Sequence, residues 1–270
     1  MTDDYILGNL DSEIARLEIQ SAFFEPITRR TLVRAGIKEG MRCLDVGCGA
    51  GTVTQLMAGM VGKSGHVTGT DLDERYLAYC RGKSLVNASF VSDNICNSSL
   101  VENGNNDFDI IYSRFMFVHL KDAKKAVQSM KHLVKKGGTV VIEELDHAPD
   151  SWLCHPENQS VRILQEIYVK LVQKAGGDPF AGRKIYCFLL EESFETSVEC
   201  NSQCLMMGHE PYNTLGWRIA ESLKSQILSY GLLSEQEFSK MYDDLKKLSL
   251  DPKSFVTYAR FFSVIGRRNS

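Results

Sequence analysis

Three aspartates close three strand-like runs in the first half of the chain: Asp45 in RCLDV, Asp71 in HVTGTD and Asp93 in ASFVSD. The first is followed almost at once by Gly47-Cys48-Gly49-Ala50-Gly51, a turn between a strand pattern and a helix pattern. Glycines at such a turn let a ligand approach the backbone, because no Cβ stands in the way. Dinucleotide sites space their glycines G-x-G-x-x-G and lay a pyrophosphate on the helix N-terminus. Here the third glycine comes one residue early, and the carboxylate of Asp45, ahead of the first, repels phosphate and suits a cation. No Gly-Lys-Ser/Thr follows, so the Walker pattern fails as well. Asp71, with Leu72 beside it, stands where a carboxylate accepts both hydroxyls of a ribose. Asp93 stands where it can accept from the exocyclic amine of adenine while the Asn94 backbone reads a ring nitrogen. Three acids at three successive strand ends describe a pocket for an adenosine that carries no phosphates.

Further candidates lie at the later strand ends. Ser113 and Arg114 end the fourth strand pattern and should line the same crevice, chiefly through backbone contacts. His119, just beyond, is either a general base for a hydroxyl or amine, or a cap or packing residue. Glu143, Glu144 and Asp146 crowd the end of the fifth strand; alternation sends Glu144 and Asp146 to one side and Glu143 to the other. Such a cluster binds an amine or supplies a base, or else serves as caps and solvated loop acids. His147 and His155 are nearby, but no residues have metal-ligand spacing, so no metal is expected. The eight cysteines form no C-x-x-C pair and are expected to be reduced and mostly buried.

As a set, DVGCGAG, Asp71, Asp93 and KKGGTVVIEE resemble the class I S-adenosylmethionine-dependent methyltransferases, over residues 40 to 145. The flanking YILGNLDSEIARLEIQ and SFVTYARFFSVIGRR resemble the small-molecule subgroup with an N-terminal helical lid. The resemblance implies S-adenosyl-L-methionine as cofactor, held at Asp45, Gly47, Cys48, Gly49, Gly51, Asp71, Leu72, Asp93, Asn94, Ser113 and Arg114. It also implies lid side chains at the methionine end, here Tyr5, Arg16 and Gln20, with Arg16 pairing the cofactor carboxylate and Tyr5 closing over the sulfonium. Two departures bear on the acceptor, the first counting against adenine or glutamine and the second leaving the substrate subgroup open. The Asn/Asp-Pro-Pro-Tyr loop of adenine and glutamine methyltransferases is missing, and Asp93-Asn94-Ile95-Cys96 does not continue into the Leu-Pro of many quinone-type relatives.

The elements that must position these residues alternate between strand and helix from residue 40 onward, which predicts an α/β fold. The expectation is a Rossmann-like doubly wound sheet of about seven strands, mostly parallel with an antiparallel last strand. Residues 1–38 form the N-terminal helical lid, as one or two helices interrupted at Pro26, and 39–270 the methyltransferase domain. Helices are expected at 52–61, 74–85 and 122–135, the last closed by Gly137-Gly138, and at 161–172, ended by Gly176-Gly177. FETSVECNSQCLMM and SFVTYARFFSVIG are each read as one strand, forming a final hairpin. Between them a helical insertion at about 210–250 holds the Leu215, Ile219, Leu223, Ile227 ladder and a Ser234/Glu237 capping box.

With 43% hydrophobic and 24% charged residues in 270, the chain can bury a sizeable core, and a net charge of −3 gives no general attraction to polyanions. Lys121, Lys124, Lys125, Lys131, Lys135 and Lys136 interleave with apolar residues as on the wet face of a surface helix, so nucleic acid is not an expected partner. No stretch is long and apolar enough to span a bilayer, and no secretory leader is seen, which makes the expected location cytoplasmic. The function expected is methyl transfer to a small-molecule acceptor by a monomer or homodimer. The alternative is a cofactor-binding regulatory or partner protein without turnover.

Overall fold

The computed structural model describes residues 10–105 and 107–269. In chain order its elements are α1 (Leu10–Ala35), β1 (Arg42–Val46), α2 (Thr52–Val61), β2 (His66–Asp71), α3 (Glu74–Gly82), β3 (Ala88–Ser92), α4 (Ser99–Glu102), β4 (Phe108–Arg114), α5 (Ala123–Leu133), β5 (Val134–Asp146), β6 (Cys154–His155), α6 (Gln159–Lys174), α7 (Ile185–Glu191), β7 (Phe194–Asn201), β8 (Cys204–Met206), α8 (Leu215–Ser222), α9 (Lys224–Ser229), α10 (Glu235–Ser249), β9 (Phe255–Thr257) and β10 (Arg260–Arg268). Among the described residues, seven strands form one sheet in the order β3-β2-β1-β4-β5-β10-β7. The first five are parallel, and β10 runs antiparallel between β5 and β7. This is the doubly wound, Rossmann-like architecture expected.

Strand alternation builds a core on each face. Ile110, Tyr112 and Val141 pack toward α1 and α2 with Leu32, Met57 and Val61. Ile111, Val140 and Ile142 pack the other way, on Val127 and Met130 of α5 and Ile185 and Leu189 of α7. A third core joins Phe24 and Ile27 of α1 to α6, α8 and α10.

Five expectations are corrected. Pro26 does not interrupt α1, which runs through it. Pro26 and Ala22, whose carbonyl loses its helical donor, both lie on the exposed side, where water replaces the bond. The fifth helix ends at Leu133 rather than at Gly137-Gly138. Val134 already pairs with Phe108, and the glycines sit in a register shift before Thr139 pairs with Ile110. Each of the two long strand patterns splits. β7 leaves the main sheet after Asn201 and β9 joins it only as β10, because β6, β9 and β8 form a separate three-stranded sheet. Donation from Tyr258 N to the Gln203 carbonyl at 2.7 Å ties the two bends together. The apolar ladder from Leu215 breaks at Leu223 into α8 and α9. Finally, only Cys43, Cys48 and Cys80 are buried; Cys187, Cys200 and Cys204 are exposed, and all eight are free thiols.

The capping box before α10 forms as read, with the Ser234 hydroxyl and the Glu237 carboxylate satisfying each other's backbone N–H. Lys124, Lys131 and Lys135 pair with Glu191, Glu192 and Asp109. No described helix is long and apolar enough to cross a membrane.

Candidate functional site

The carboxyl ends of β1, β2 and β4 open on one edge of the sheet, at the place where the connections from β1 and β4 leave in opposite directions. The glycine turn after β1 needs its glycines: Gly47, Gly49 and Gly51 all have positive φ, at 72°, 50° and 71°. A Cβ on Gly47 would stand 3.1 Å from the Met116 side chain, so the turn abuts the loop after β4. The Gly49 N–H donates to Asp71 Oδ2 at 2.9 Å, while Asp71 Oδ1 accepts from the Asp73 N–H at 3.0 Å. Each Asp71 oxygen keeps further accepting capacity, and burial raises its pKa above the ordinary carboxylate value. Leu72, beside it, is 67% exposed, a large apolar side chain open at the rim.

Asp45 is buried beneath the turn and accepts from the Thr54 hydroxyl at 2.6 Å, which fastens α2 to β1. Burial pushes its carboxyl up to about 6. Asp93 accepts from Ser98 Oγ (2.7 Å), Ser99 N (2.8 Å) and Ser99 Oγ (2.9 Å), so it organises the start of α4. The Asn94 side chain caps the next short turn by accepting from Cys96 N at 3.0 Å. Ser113, at the end of β4, is buried with its hydroxyl unpartnered.

Arg114 points away from the strand toward α1, donating to Ser21 Oγ (2.6 Å) and Thr28 Oγ1 (3.0 Å). Thr28 in turn donates to Glu143 Oε2 at 2.5 Å, an oxygen that also accepts from Tyr112 at 2.6 Å, and Ser263 donates to Oε1 at 3.1 Å. This buried network pins the middle of α1 onto β4, β5 and β10. Nearer its start, Arg16 pairs with Glu13 and donates to Gln20 Oε1 at 3.1 Å, and Gln20 donates to the Tyr258 hydroxyl at 2.6 Å. Tyr5 lies outside the described residues.

The acid cluster on β5 is committed internally. Beside Glu143, Glu144 accepts from Val118 N at 3.1 Å and Leu145 N at 2.8 Å, which holds the 3-10 turn Phe117–His119; burial pushes its carboxyl up to about 7. Asp146 pairs with Arg183. These acids are therefore not solvated loop acids: all three are buried, each with internal partners. His119 keeps an accessible face at the end of the turn that Glu144 holds. Desolvation by the neighbouring protein, more than the Arg16 charge, moves its pKa below the ordinary imidazole value. His147 is fully enclosed beside Tyr168, 4.3 Å between ring centroids, with neither ring nitrogen partnered and a pKa pulled down to about 3 by burial.

A family model described as a methyltransferase domain matches residues 37–176, just over half of the chain. The chain belongs to that methyltransferase-domain family. Among curated relatives it is similar to the ubiquinone/menaquinone biosynthesis C-methyltransferase UbiE of Shewanella sediminis, 28% identical over 169 residues, covering 60% of this chain and 63% of that one. The chain thus spans a little under two thirds of that relative's length. Its fold is shared with a SAM-dependent methyltransferase from Aquifex aeolicus (TM-score 0.52, 22% identity, 70% of this chain and 90% of that). It is shared also with phosphoethanolamine N-methyltransferase 2 of Haemonchus contortus (TM-score 0.55, 18% identity, 90% and 53%). The matched span holds the glycine turn, Asp71, Asp93 and the end of β5, whereas α1 and everything after residue 176 lie outside it.

Sequence reasoning missed three features of this methyltransferase-domain site. Thr54 was detectable, since it falls on the buried stripe of α2 with Val53, Met57, Ala58 and Val61. The Thr28–Glu143–Tyr112 network joins residues far apart in the chain and had no local signal. Phe115, directly after β4, has φ 58°, a conformation that a bulky residue rarely takes, and residue type gives no warning of it.

Proposed function

We propose that this chain is an S-adenosyl-L-methionine-dependent methyltransferase acting on a small-molecule acceptor by in-line displacement. The observation that carries the reading is Asp71: its carboxylate spans Gly49 N–H and Asp73 N–H at the mouth of the sheet and keeps lone pairs for a ribose diol. The residues fit the group in two further respects. The buried hydroxyl of Ser113, at the end of β4 beside β1, lacks a partner, and exposed Leu72 can cover one face of adenine. Asp93 and Asn94 supply the adenine end, while the glycine turn from Gly47 through Cys48 and Gly49 to Gly51 admits the ligand to the backbone.

When bound, the cofactor supplies an electrophilic methyl on sulfonium, whose departure leaves a neutral thioether. The chain's tasks are then alignment and exclusion of water. The pinned helix α1 forms a fixed wall over the site; residues 1–38 are its candidate lid, with Tyr5, Arg16 and Gln20 as the candidates for the methionine end and the Arg114 backbone lining the crevice. His119, in the turn held by Glu144, is the candidate to accept a proton from a hydroxyl acceptor. The helical insertion at about 210–250 completes the acceptor side. The printed names of the curated relatives, a ubiquinone/menaquinone biosynthesis C-methyltransferase and a demethylmenaquinone methyltransferase, support an acceptor of low molecular weight. A cytoplasmic monomer or homodimer fits this reading.

Native mass spectrometry of the purified chain tests it. Co-purified S-adenosylmethionine or S-adenosylhomocysteine is the expected finding, and a nicotinamide dinucleotide in their place contradicts it.

A further inference from the structure

Cys48 and Cys80 bring two thiols to the same peptide oxygen within the glycine turn. Cys48 belongs to the turn itself, and Cys80 reaches it from α3. Their sulfurs lie 4.0 Å and 3.3 Å from the Gly49 carbonyl oxygen, so both thiols are directed at one peptide oxygen. Cys80 Sγ presses so closely on Gly51 that a Cβ there would stand 2.7 Å away. The pair is asymmetric. The neighbouring Cys48 thiol and, less strongly, the Lys83 ammonium lower the pKa of Cys80; Lys83 is fixed nearby by donating to the Ala50 carbonyl at 3.0 Å. Cys48, beside Cys80, Asp45 and Asp71, is raised and keeps its proton. The two sulfurs thus converge on one carbonyl of the turn, and Cys80 is the one with an ammonium held nearby to favour its thiolate.

We propose that Cys48 and Cys80 form a peroxide-responsive thiol pair whose disulfide closes the glycine turn to its ligand. The Cys80 thiolate attacks one oxygen of hydrogen peroxide, giving a sulfenic acid and hydroxide, which takes up the proton lost when Cys80 ionised. The Cys48 sulfur then attacks the Cys80 sulfur, the S–S bond forms, and the sulfenic oxygen leaves with the Cys48 proton as water. Overall two thiols and one peroxide give one disulfide and two waters. Cys48 is 8% exposed and Cys80 fully buried, so the pair is approached along the turn, where Gly49 is only half-buried. An S–S bond of about 2.05 Å would draw in a turn whose Gly49 N–H is held by Asp71 at 2.9 Å and whose Gly51 N–H is held by the Cys48 carbonyl at 2.9 Å. The site that binds the methyl donor must then change shape. The ligand consequence rests on the functional reading above; the chemistry of the thiol pair does not.

The test treats the full-length reduced chain with hydrogen peroxide, blocks remaining thiols, maps tryptic peptides by mass spectrometry, and titrates S-adenosylmethionine before treatment, after it and after dithiothreitol. The expected result is a Cys48–Cys80 cross-linked peptide, accompanied by a loss of affinity of about tenfold or more that dithiothreitol reverses. Saturating S-adenosylmethionine should slow the cross-link, and Cys80→Ser and Cys80→Ala should each form none and resist peroxide. Absence of that peptide, or its presence with affinity changed less than about twofold, overturns the proposal. Failure of the reduced chain to bind S-adenosylmethionine contradicts the functional reading instead, and the peptide map still decides the disulfide.

Discussion

The residues of the candidate site divide into those proposed to face a ligand and those that hold the others still, and their types alone did not separate the two groups. Asp71 was legible because a carboxylate ending the second strand of a doubly wound sheet has one well-defined place to go. Asp93 and Glu144 were legible as carboxylates at strand ends, but not the hydroxyls and N–H groups they hold, since those partners are set by loop geometry. His147 shows the cost of such a position. It is 2% exposed, both ring nitrogens lack partners, and the imidazole stays neutral with a folded-state pKa of about 3 against an ordinary value of 6.5. Because the folded pKa is depressed and the base is neutral when deprotonated, its contribution is present above pH 6.5 and lost as pH falls from there toward 3. His147→Phe removes both the orphaned nitrogens and this acid sensitivity. Urea denaturation should find the variant more stable than wild type at pH 8 by about 1 kcal/mol, and the advantage should grow by about 1.4 kcal/mol at pH 5.5. An advantage independent of pH contradicts this account of His147.

Among the elements, the glycine turn carries the strictest requirement. Gly51 combines φ 71° with contact to Cys80 Sγ and, at 3.3 Å from a notional Cβ, the Phe90 ring. Gly51→Ala must bear both a left-handed alanine and an overpacked contact, so the denaturation midpoint should report a loss of about 2–4 kcal/mol. A loss below about 0.5 kcal/mol would show that the turn relaxes freely. The turn and the five parallel strands were readable because their signals are local: a glycine spacing, an apolar run, a helix start. The corrections fall where the decisive partner is distant. The bends at Ser202 and Tyr258 exist because β6, β9 and β8 assemble with one another, and a period-two pattern continues unbroken through a change of sheet. α1 passes through Pro26 because its buried face, with Phe24, Ile27, Thr28 and Leu32, is held by the sheet strongly enough to tolerate one missing bond on the wet side.

At the scale of the whole molecule, one sheet carries the candidate site at its carboxyl edge, while α1, α6 and the helices after β8 pack together through a separate apolar core. The sheet half was legible as a family resemblance because the family's motifs sit on it, and the family match ends at residue 176. The covering half has no such motif; its shape follows from long-range packing, and with it the choice of acceptor. Binding of the methyl donor through Asp71 is the claim on which the account depends. Isothermal titration calorimetry of S-adenosylmethionine into the reduced wild-type chain and into Asp71→Ala, with circular dichroism to confirm that both are folded, measures it directly. Wild type should bind one equivalent, and the variant should lose about 3 kcal/mol of binding free energy, roughly a hundredfold, from two hydrogen bonds to a charged acceptor. A folded wild type that does not bind S-adenosylmethionine, or an Asp71→Ala variant that binds it equally well, would contradict the account.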